Sequence, residues 1–218
     1  MALLEVKGLT KYFDLSGDPL SRFFRGTKLL KAVDHVSFAI KEGETFGLVG
    51  ESGCGKSTTA RLITRLIAAT EGEVIFQNRN ILSLPKRRVR EIRSDIQMVF
   101  QDPFASLNPR MKVLEIVGRP VTLYQGLKGK KKLDTVAELL GRVGLQPEAM
   151  HRYPHEFSGG QRQRIGVARA LAVEPDLIVC DEPVSALDVS VQAQIINLLM
   201  DLQQQRGIAY LFIAHDLA

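Results

Sequence analysis

One stretch of this chain combines the residue types and the spacing that bind phosphate. Residues 50–57 read G-x-x-x-x-G-K-S, follow the apolar run 45–49 and precede a predicted helix over 57–67. This strand–loop–helix order is the context that a phosphate-binding loop needs. Because glycine carries no Cβ, the main-chain N–H groups of such a loop can turn inward around an anion. The N-terminus of the helix adds its positive end.

The polar side chains of this loop indicate which anion it binds. Lys56 can reach the β- and γ-phosphates of a nucleotide, and the Ser57 hydroxyl can ligate Mg²⁺. We therefore expect a nucleoside triphosphate with Mg²⁺ as the ligand. The residues expected to hold it here are Gly50, Ser52, Gly53, Cys54, Gly55, Lys56, Ser57 and Thr58.

Two adjacent carboxylates follow another apolar run. Residues 177–180 predict a strand, and Asp181 and Glu182 stand at its carboxyl end, the edge where open parallel sheets bind ligands. Asp181 suits Mg²⁺, directly or through a water molecule. Glu182 can accept a proton from, or orient, the water that attacks the γ-phosphate. Without a phosphate loop in the same chain, the pair would be interpreted as solvated carboxylates in a turn.

A second anion-binding pattern stands at residues 158–161, Ser-Gly-Gly-Gln, before a predicted helix over 162–172. A serine and two glycines at a helix N-terminus can bind an anion, although the same residues also make an ordinary helix cap. Two such sites either serve one nucleotide within a monomer or each serve a nucleotide shared with a second subunit. The spacing leaves both arrangements open.

His215 follows a predicted strand over 209–213. An imidazole at a sheet edge can donate a hydrogen bond to a γ-phosphate oxygen. A single histidine at a strand end is more often structural or simply exposed. Only its position among the other groups favours a functional role.

Composition limits the classes of protein that these groups can belong to. The 218 residues are 45% hydrophobic and 24% charged, which suits one large α/β domain or one domain with a sizeable insertion. Cys54 lies in the phosphate loop and Cys180 in an apolar strand, so a reducing compartment fits better than a disulfide.

The start of the chain lacks a signal-peptide pattern. The longest uncharged run, 189–200, is shorter than the roughly 20 residues that cross a bilayer. We expect a soluble chain.

The net charge of +5 does not point to nucleic acid. Lysines and arginines are dispersed, apart from 86–88 and 128–132, and no basic run is interleaved with aromatic residues. Solvated surface charge is the simpler interpretation of both runs.

Apolar strands alternate with helical patterns along most of the chain, which predicts an α/β fold with a mainly parallel sheet covered on both faces. Strands are predicted over 3–7, 36–40, 45–49, 73–77, 96–100, 177–180 and 209–213. Further helical patterns cover 86–93, 113–117, 133–143 and 191–205, and 14–28 is predicted as a loop anchored by Phe23 and Phe24. The predicted division is an ATP-binding core over 1–101, a helical subdomain over 102–157 and the remaining core over 158–218.

Taken together and in this order, the motifs resemble the ATP-binding subunit of an ABC transporter. The resemblance covers the chain from Leu3 to Ala218, and Ser-Gly-Gly-Gln is its most specific element. More narrowly, the chain is similar to the ATPases of bacterial oligopeptide and dipeptide importers. That likeness lies in 94–103, 105–110, 152–157 and 181–190, and the predicted loop 14–28 resembles an extended loop of one of the two ATPases in such importers.

The resemblance implies a P-loop NTPase fold, RecA-like, with a mainly parallel sheet, N-terminal antiparallel strands and a helical insertion. It also implies two ATPase subunits that meet head to tail with two ATP molecules between them. Each ATP would be held by the phosphate loop of one subunit and by Ser158, Gly159, Gly160 and Gln161 of the other.

The resemblance further assigns individual roles. Glu182 would be the catalytic base, His215 the switch histidine and Asp188 the aspartate that crosses the interface. Gln101 would sense Mg²⁺ and the attacking water, so the metal set is Ser57, Gln101 and Asp181. The adenine ring would stack on Phe13, with Tyr12 as the alternative.

The implied function is that of the ATP-hydrolysing motor of an importer for peptides or similar small solutes. The subunit would lie peripherally on the cytoplasmic face of the bacterial inner membrane. It would bind a second ATPase subunit and integral-membrane permease subunits, and act indirectly with a periplasmic or extracellular solute-binding protein. No nucleic-acid partner is expected.

Two features depart from the family pattern. Phe157 stands before Ser158 where many members have leucine, and little effect is expected. The chain also ends just past His215, which suggests a C-terminally truncated piece. The alternatives are a soluble ABC ATPase acting on nucleic acid or ribosomes, an importer ATPase for nickel or glutathione, and a scaffold that binds nucleotide without hydrolysing it.

Overall fold

The structure is a computed structural model, and it describes residues 2–16, 29–85 and 87–215. Most of the predicted loop 14–28, including Phe23 and Phe24, lies outside the described residues, as do Lys86 and Asp216. The eight described strands are β1 (Ala2–Asp14), β2 (Leu29–Lys41), β3 (Thr45–Val49), β4 (Glu71–Phe76), β5 (Arg79–Asn80), β6 (Ile96–Val99), β7 (Leu177–Asp181) and β8 (Ala209–Ala214).

The described α-helices number seven. They are α1 (Lys56–Ile63), α2 (Val89–Asp95), α3 (Pro103–Ser106), α4 (Val113–Gln125), α5 (Gly129–Arg142), α6 (Gly159–Leu171) and α7 (Val189–Arg206). Short 3₁₀ turns cover Ile81–Ser83, Pro147–His151 and Pro154–Glu156. Within the described residues, no helix is long and apolar enough to cross a membrane.

The strands form two sheets, so the α/β class with a parallel sheet and N-terminal antiparallel strands is confirmed. One sheet is parallel, in the order β3-β8-β7-β6, and the other is antiparallel, in the order β2-β1-β4-β5. Every residue of β7 is buried, which is why this strand has a continuous apolar sequence rather than an alternating one.

The parallel sheet separates two apolar cores. Side chains alternate across a strand, so Ile178 and Cys180 pack with α4, α5, α6 and α7, whereas Leu177 and Val179 pack with α1 and the antiparallel sheet. Burial raises the pKa of the Cys180 thiol far above its usual range, so this cysteine is an apolar core residue.

Several predicted boundaries are wrong; strand β2, for example, begins at Leu29 rather than at residue 36. Strand β1 continues to Asp14 rather than Lys7, because Tyr12 and Phe13 pair with Lys31 and Leu30 of β2. Helix α1 ends at Ile63 rather than at residue 67. Beyond its end the Thr64 hydroxyl donates to the Ala60 carbonyl, and Arg65 adopts a left-handed conformation with φ of 54°.

Helix α4 extends to Gln125, well past the predicted end at Val117. It contains Pro120, which removes one N–H donor from the helix. The helix persists because Val113, Val117 and Val121 are fully buried along one face, and tertiary packing outweighs the local cost.

Candidate functional site

The carboxyl ends of all four parallel strands meet at one edge of the sheet, as the doubly wound architecture requires. Residue pairing places Val49 beside Ala214 and Asp181 beside Ile213, with β6 on the other side of β7. The residues that follow these strands therefore converge. They are Gly50 after β3, His215 after β8, Glu182 after β7 and Gln101 after β6.

Glycine shapes the loop between β3 and α1. Gly55 is the N-cap of α1 with φ of 99°, a conformation that residues with a side chain rarely adopt. A Cβ at this position would also overlap the Ala32 carbonyl oxygen of β2. The loop can therefore approach β2 closely only with glycine here, and no side chain blocks the first N–H groups of the helix.

Lys56 places its charge inside this loop. The side chain is only 6% exposed, and Nζ donates to the carbonyl oxygens of Gly50 at 2.6 Å and Glu51 at 2.8 Å. Ser52, Gly53 and Cys54 of the loop are exposed, whereas Ser57 and Thr58 are half-buried in the first turn of α1. The loop thus combines a fixed cation, open main chain and a helix N-terminus, which is the chemistry of a phosphate site.

The Ser57 hydroxyl donates to Oδ1 of Asp181 at 2.8 Å, across 124 residues of sequence. Hydroxyl and carboxylate oxygens are ligands that Mg²⁺ prefers, so this pair fits the metal that the sequence implies. Burial raises the pKa of the Asp181 carboxyl, and the bond from Ser57 and the charge of Arg61 oppose that rise. A cation bound here would favour the ionised form for the same reason.

Glu182 and Gln101 form a second pair beside the first. Gln101 Nε2 donates to Oε2 of Glu182 at 2.7 Å and lies 3.5 Å from Oγ of Ser185. Glu182 has φ of 46°, and its N–H donates to the Ile213 carbonyl, which fixes the main chain just after β7. A non-glycine residue in this conformation is strained, and such strain recurs at active sites.

His215 is exposed and lies one residue beyond the end of β8. Its neighbours across the sheet are the strand ends of β3 and β7, so the ring belongs to the same edge as the phosphate loop and Asp181.

Ser158 is the N-cap of α6 and lies in a capping box. Its Oγ accepts a hydrogen bond from the Gln161 N–H at 3.3 Å, and Gln161 Oε1 accepts one from the Ser158 N–H at 3.1 Å. Ser158 is exposed. Across residues 2–16, 29–85 and 87–215, no hydrogen bond or ion pair joins this cap to the phosphate loop.

The Ser158 cap instead adjoins the segment that begins α7. A Cβ on Gly160 would overlap Val191, and one on Gly159 would approach Leu187 to 3.2 Å. Asp188, the N-cap of α7, is exposed beside them. The predicted site residues thus form two separate groups. One is the phosphate loop with the strand-end residues, and the other is the Ser158 cap with Asp188.

The two aromatic candidates for an adenine contact differ in their contacts. Tyr12 Oη donates to Oδ1 of Asp34 at 2.5 Å, and Lys31 Nζ lies 5.1 Å from the Tyr12 ring centroid. This hydrogen bond, with that from His35, lowers the pKa of Asp34 to about 2. Phe13 has no hydroxyl group and so cannot make the hydrogen bond that Tyr12 makes. Lys11 Nζ lies 4.9 Å from the Phe13 ring centroid.

Sequence reasoning missed Arg61 and Ser185. Arg61 lines a cavity of about 390 Å³ together with Gln101 and Asp181. The available signal was its spacing, because Arg61 stands four residues after Ser57 and so shares its helix face. Ser185 lies within the 181–190 stretch, but nothing in its local sequence indicates a contact with Gln101, 84 residues away.

Comparison with known proteins assigns the chain to a family. The family model described as ABC transporter matches residues 33–185, so the chain belongs to the ABC transporter family. It is 54% identical over 217 residues to the oligopeptide transport ATP-binding protein OppF of Salmonella typhimurium, and 55% identical over 218 residues to OppF of Bacillus subtilis. These alignments cover 99% of this chain and 65% and 68% of the two relatives. The chain thus spans about two thirds of their length.

A solved structure of an ATP-binding cassette is similar to this chain over almost its whole length. The dimeric ATP-binding cassette MJ0796, in a post-hydrolysis state bound to ADP and Pi, superposes with a TM-score of 0.85 at 33% identity. The match covers 98% of this chain and 88% of that one.

Proposed function

We propose that this chain is the ATP-binding and ATP-hydrolysing subunit of a bacterial ABC importer that takes up peptides or similar small solutes. The observation that carries the proposal is the pair of contacts at the sheet edge, Ser57 with Asp181 and Gln101 with Glu182, beside a phosphate loop that contains Lys56. The two relatives reported above are named as oligopeptide transport ATP-binding proteins, which supports peptides as the solute class.

In this proposal the nucleotide lies along the loop between β3 and α1. The N–H groups of residues 50–58 and the Lys56 ammonium bind the β- and γ-phosphates, and Phe13, or Tyr12 in its place, stacks on the adenine. Ser57 and Asp181 would hold Mg²⁺, with Gln101 near it, and the metal would supply charge neutralisation on the phosphate oxygens.

Hydrolysis then depends on the residues that follow β6, β7 and β8. Glu182 orients the attacking water and accepts its proton, and Gln101 fixes the Glu182 carboxylate through the 2.7 Å hydrogen bond. His215 donates to a γ-phosphate oxygen from the neighbouring strand end. Most of the rate acceleration comes from positioning and charge stabilisation, as in other phosphoryl transfers.

The Ser158 cap serves the second copy in this proposal. It is exposed, adjoins Asp188 and makes no hydrogen bond with the phosphate loop among the described residues, so it suits a nucleotide held by another subunit. MJ0796 bound to ADP and Pi is a dimer, which supports the same arrangement. Residues 102–157 would act as the helical subdomain that passes the motion to permease subunits. The chain would thus lie on the cytoplasmic face of the inner membrane, and a solute-binding protein would deliver the peptide.

The test is ATP hydrolysis by the purified chain with Mg²⁺. Glu182→Gln keeps the shape of the side chain but removes the base, so kcat should fall by about 10²–10⁴-fold while ATP binding is retained. Glu148→Gln, at an exposed position away from the sheet edge, is the matched control and should hydrolyse at the wild-type rate. Near-normal turnover in Glu182→Gln would remove Glu182 from the mechanism.

A further inference from the structure

Helix α6 does more than present the Ser158 cap. Three of its side chains, two of them buried and one half-buried, reach the segment that follows β6, at three points along residues 100–106. We call Arg162, Gln163 and Arg169 the α6 clamp. Arg162 faces the Phe104 ring, Gln163 Nε2 lies 3.4 Å from the Phe100 carbonyl oxygen, and Arg169 donates to the Ser106 carbonyl at 2.6 Å.

Arg162 is the most constrained of the three. The residue is 7% exposed, Nε donates to the Pro154 carbonyl at 2.7 Å and one terminal nitrogen donates to the His155 carbonyl at 3.2 Å. The other terminal nitrogen is buried and has no hydrogen-bond partner in the part of the chain that the structure describes. The guanidinium carbon lies 3.7 Å from the Phe104 ring centroid, so the ring covers a cation that is already out of water, where a cation–π contact is strongest.

Phe104 itself is not a core residue. It is 65% exposed and lies in α3, just after the N-cap Asp102, whose carboxylate accepts hydrogen bonds from the N–H groups of Phe104 and Ala105. A ring placed for packing alone would be buried. The stacking on Arg162 is thus the feature of Phe104 that requires an explanation.

Arg169 holds the other end of the same segment. It lies seven residues after Arg162, two helical turns along the same side of α6. Burial lowers the pKa of Arg169, yet its bond to Ser106 remains a charged donor to a carbonyl oxygen. The clamp therefore fixes residues 100–106 to α6 at both ends.

The clamped segment contains Gln101, whose amide contacts Glu182. We propose that the α6 clamp is a positioning device: it transmits the orientation of α6 to Gln101, and so couples the Ser158 cap to the water-positioning pair of the same chain. A shift of α6 carries Phe100, Phe104 and Ser106 with it, and Gln101 lies between the first two.

This inference rests on the proposed function, because it assigns the cap to a partner's nucleotide. Its consequence is that seating of the cap against one nucleotide aligns Gln101 at the other. Each site of a dimer would then hydrolyse ATP faster when both caps are seated than when only one is. Arg162, Gln163, Arg169 and Phe104 are positioning residues in this account, since none of them contacts Glu182 directly.

The test compares Phe104→Leu with Phe104→Tyr in the full chain, each alone and with Gln101→Ala. Leucine removes the stacking partner of Arg162, whereas tyrosine keeps the ring. We expect Phe104→Leu to lower kcat for ATP about fivefold with KM changed less than about twofold, and Phe104→Tyr to keep the wild-type rate. In the Gln101→Ala background, Phe104→Leu should have no further effect, because both changes act through one residue.

A second measurement needs no turnover. Amide hydrogen exchange of residues 100–107 should be about tenfold faster in Phe104→Leu than in Phe104→Tyr, with strand β7 unchanged as the internal control. Unchanged exchange, or an equal loss of kcat with and without Gln101, would overturn the clamp. A wild-type chain that binds no ATP would instead refute the proposed function, and the exchange result would still decide the clamp.

Discussion

Two helices of this protein begin at glycine-rich segments suited to anions, but the two N-termini are built differently. Helix α1 begins at Gly55, which provides no capping side chain, and its loop contains the Lys56 ammonium. Helix α6 begins at Ser158, whose side chain and that of Gln161 already satisfy each other's main-chain N–H groups.

The difference shows which of the two can bind a phosphate by itself. The α1 loop has open N–H groups, a fixed cation and a metal-type oxygen pair at Ser57 and Asp181. The side chains of Ser158 and Gln161 already accept hydrogen bonds from two N–H groups of the α6 cap. The nearby Arg162 guanidinium lies against the Pro154 carbonyl and the Phe104 ring, so the cap is suited to add contacts to an anion held elsewhere. In the proposed dimer, each chain would therefore provide the main nucleotide site through its α1 loop and a complementary surface through its α6 cap.

The largest expected effect is on the free energy of unfolding, and it distinguishes Gly55 of the α1 loop from Gly160 of the α6 cap. Gly55→Ala should lower the free energy of unfolding by roughly 2–4 kcal/mol, because φ of 99° is unfavourable for alanine and the Cβ meets main chain at Ala32. Gly160→Ala should cost about 1–2 kcal/mol, since its Cβ meets the side chain of Val191, which can move. Urea denaturation of both variants measures the difference. Equal losses would mean that the α1 loop is not the more constrained one.

The next effect concerns ATP affinity. Lys56→Ala should weaken binding of ATP to the monomeric chain about 100-fold, through loss of the only buried lysine that the structure describes at the loop. Ser158→Ala should leave the affinity of the monomer unchanged, because the cap does not contribute to the site of its own chain. Fluorescence titration with a labelled ATP analogue distinguishes the two. Comparable losses in both variants would abolish the distinction between site and complementary surface.

A smaller effect tests the buried carboxylate of the α1 site. The pKa of Asp181 is raised, so the stability it contributes is present below its ordinary value of 3.8 and is lost as pH rises through the raised value. Asp181→Asn keeps an oxygen for the Ser57 hydroxyl and removes the charge. Its Tm should exceed that of the wild type by about 2–4 °C at pH 7.5 without Mg²⁺, and by less at pH 4.5. A lower Tm at pH 7.5 would show that the ionised carboxylate is stabilising.

Much of the parallel sheet could be predicted from sequence, because its strands have local signals. The bounds of β3 were predicted correctly, since an apolar run lies between the turn at Gly43 and the glycine loop. Strand β7 was predicted within one residue for the same reason. The extent of β1 could not be predicted, because its second half is held by pairing with β2, and only the tertiary structure shows that pairing.

The same limit applies to the candidate site, where contacts between distant segments could not be predicted. Motif spacing placed Gly50, Gln101, Asp181 and His215 at strand ends, where the fold brings them together. The assigned roles remain predictions, as do the domain boundaries. Spacing could not predict that Gln101 contacts Glu182, that Tyr12 contacts Asp34 or that Arg162 stacks on Phe104, because each contact joins segments far apart in sequence.

The central claim, that each nucleotide is shared between two copies, is tested most directly by mixing two inactive variants. Lys56→Ala disables the phosphate loop, and Ser158→Arg blocks the exposed cap. Each variant alone should lack ATPase activity. A one-to-one mixture should recover between about a twentieth and a quarter of the wild-type rate. Half of the randomly paired dimers have one intact site out of two, and the blocked cap on the chain that provides the intact loop should slow that site by up to about fivefold. A mixture that remains as inactive as its components would contradict the account.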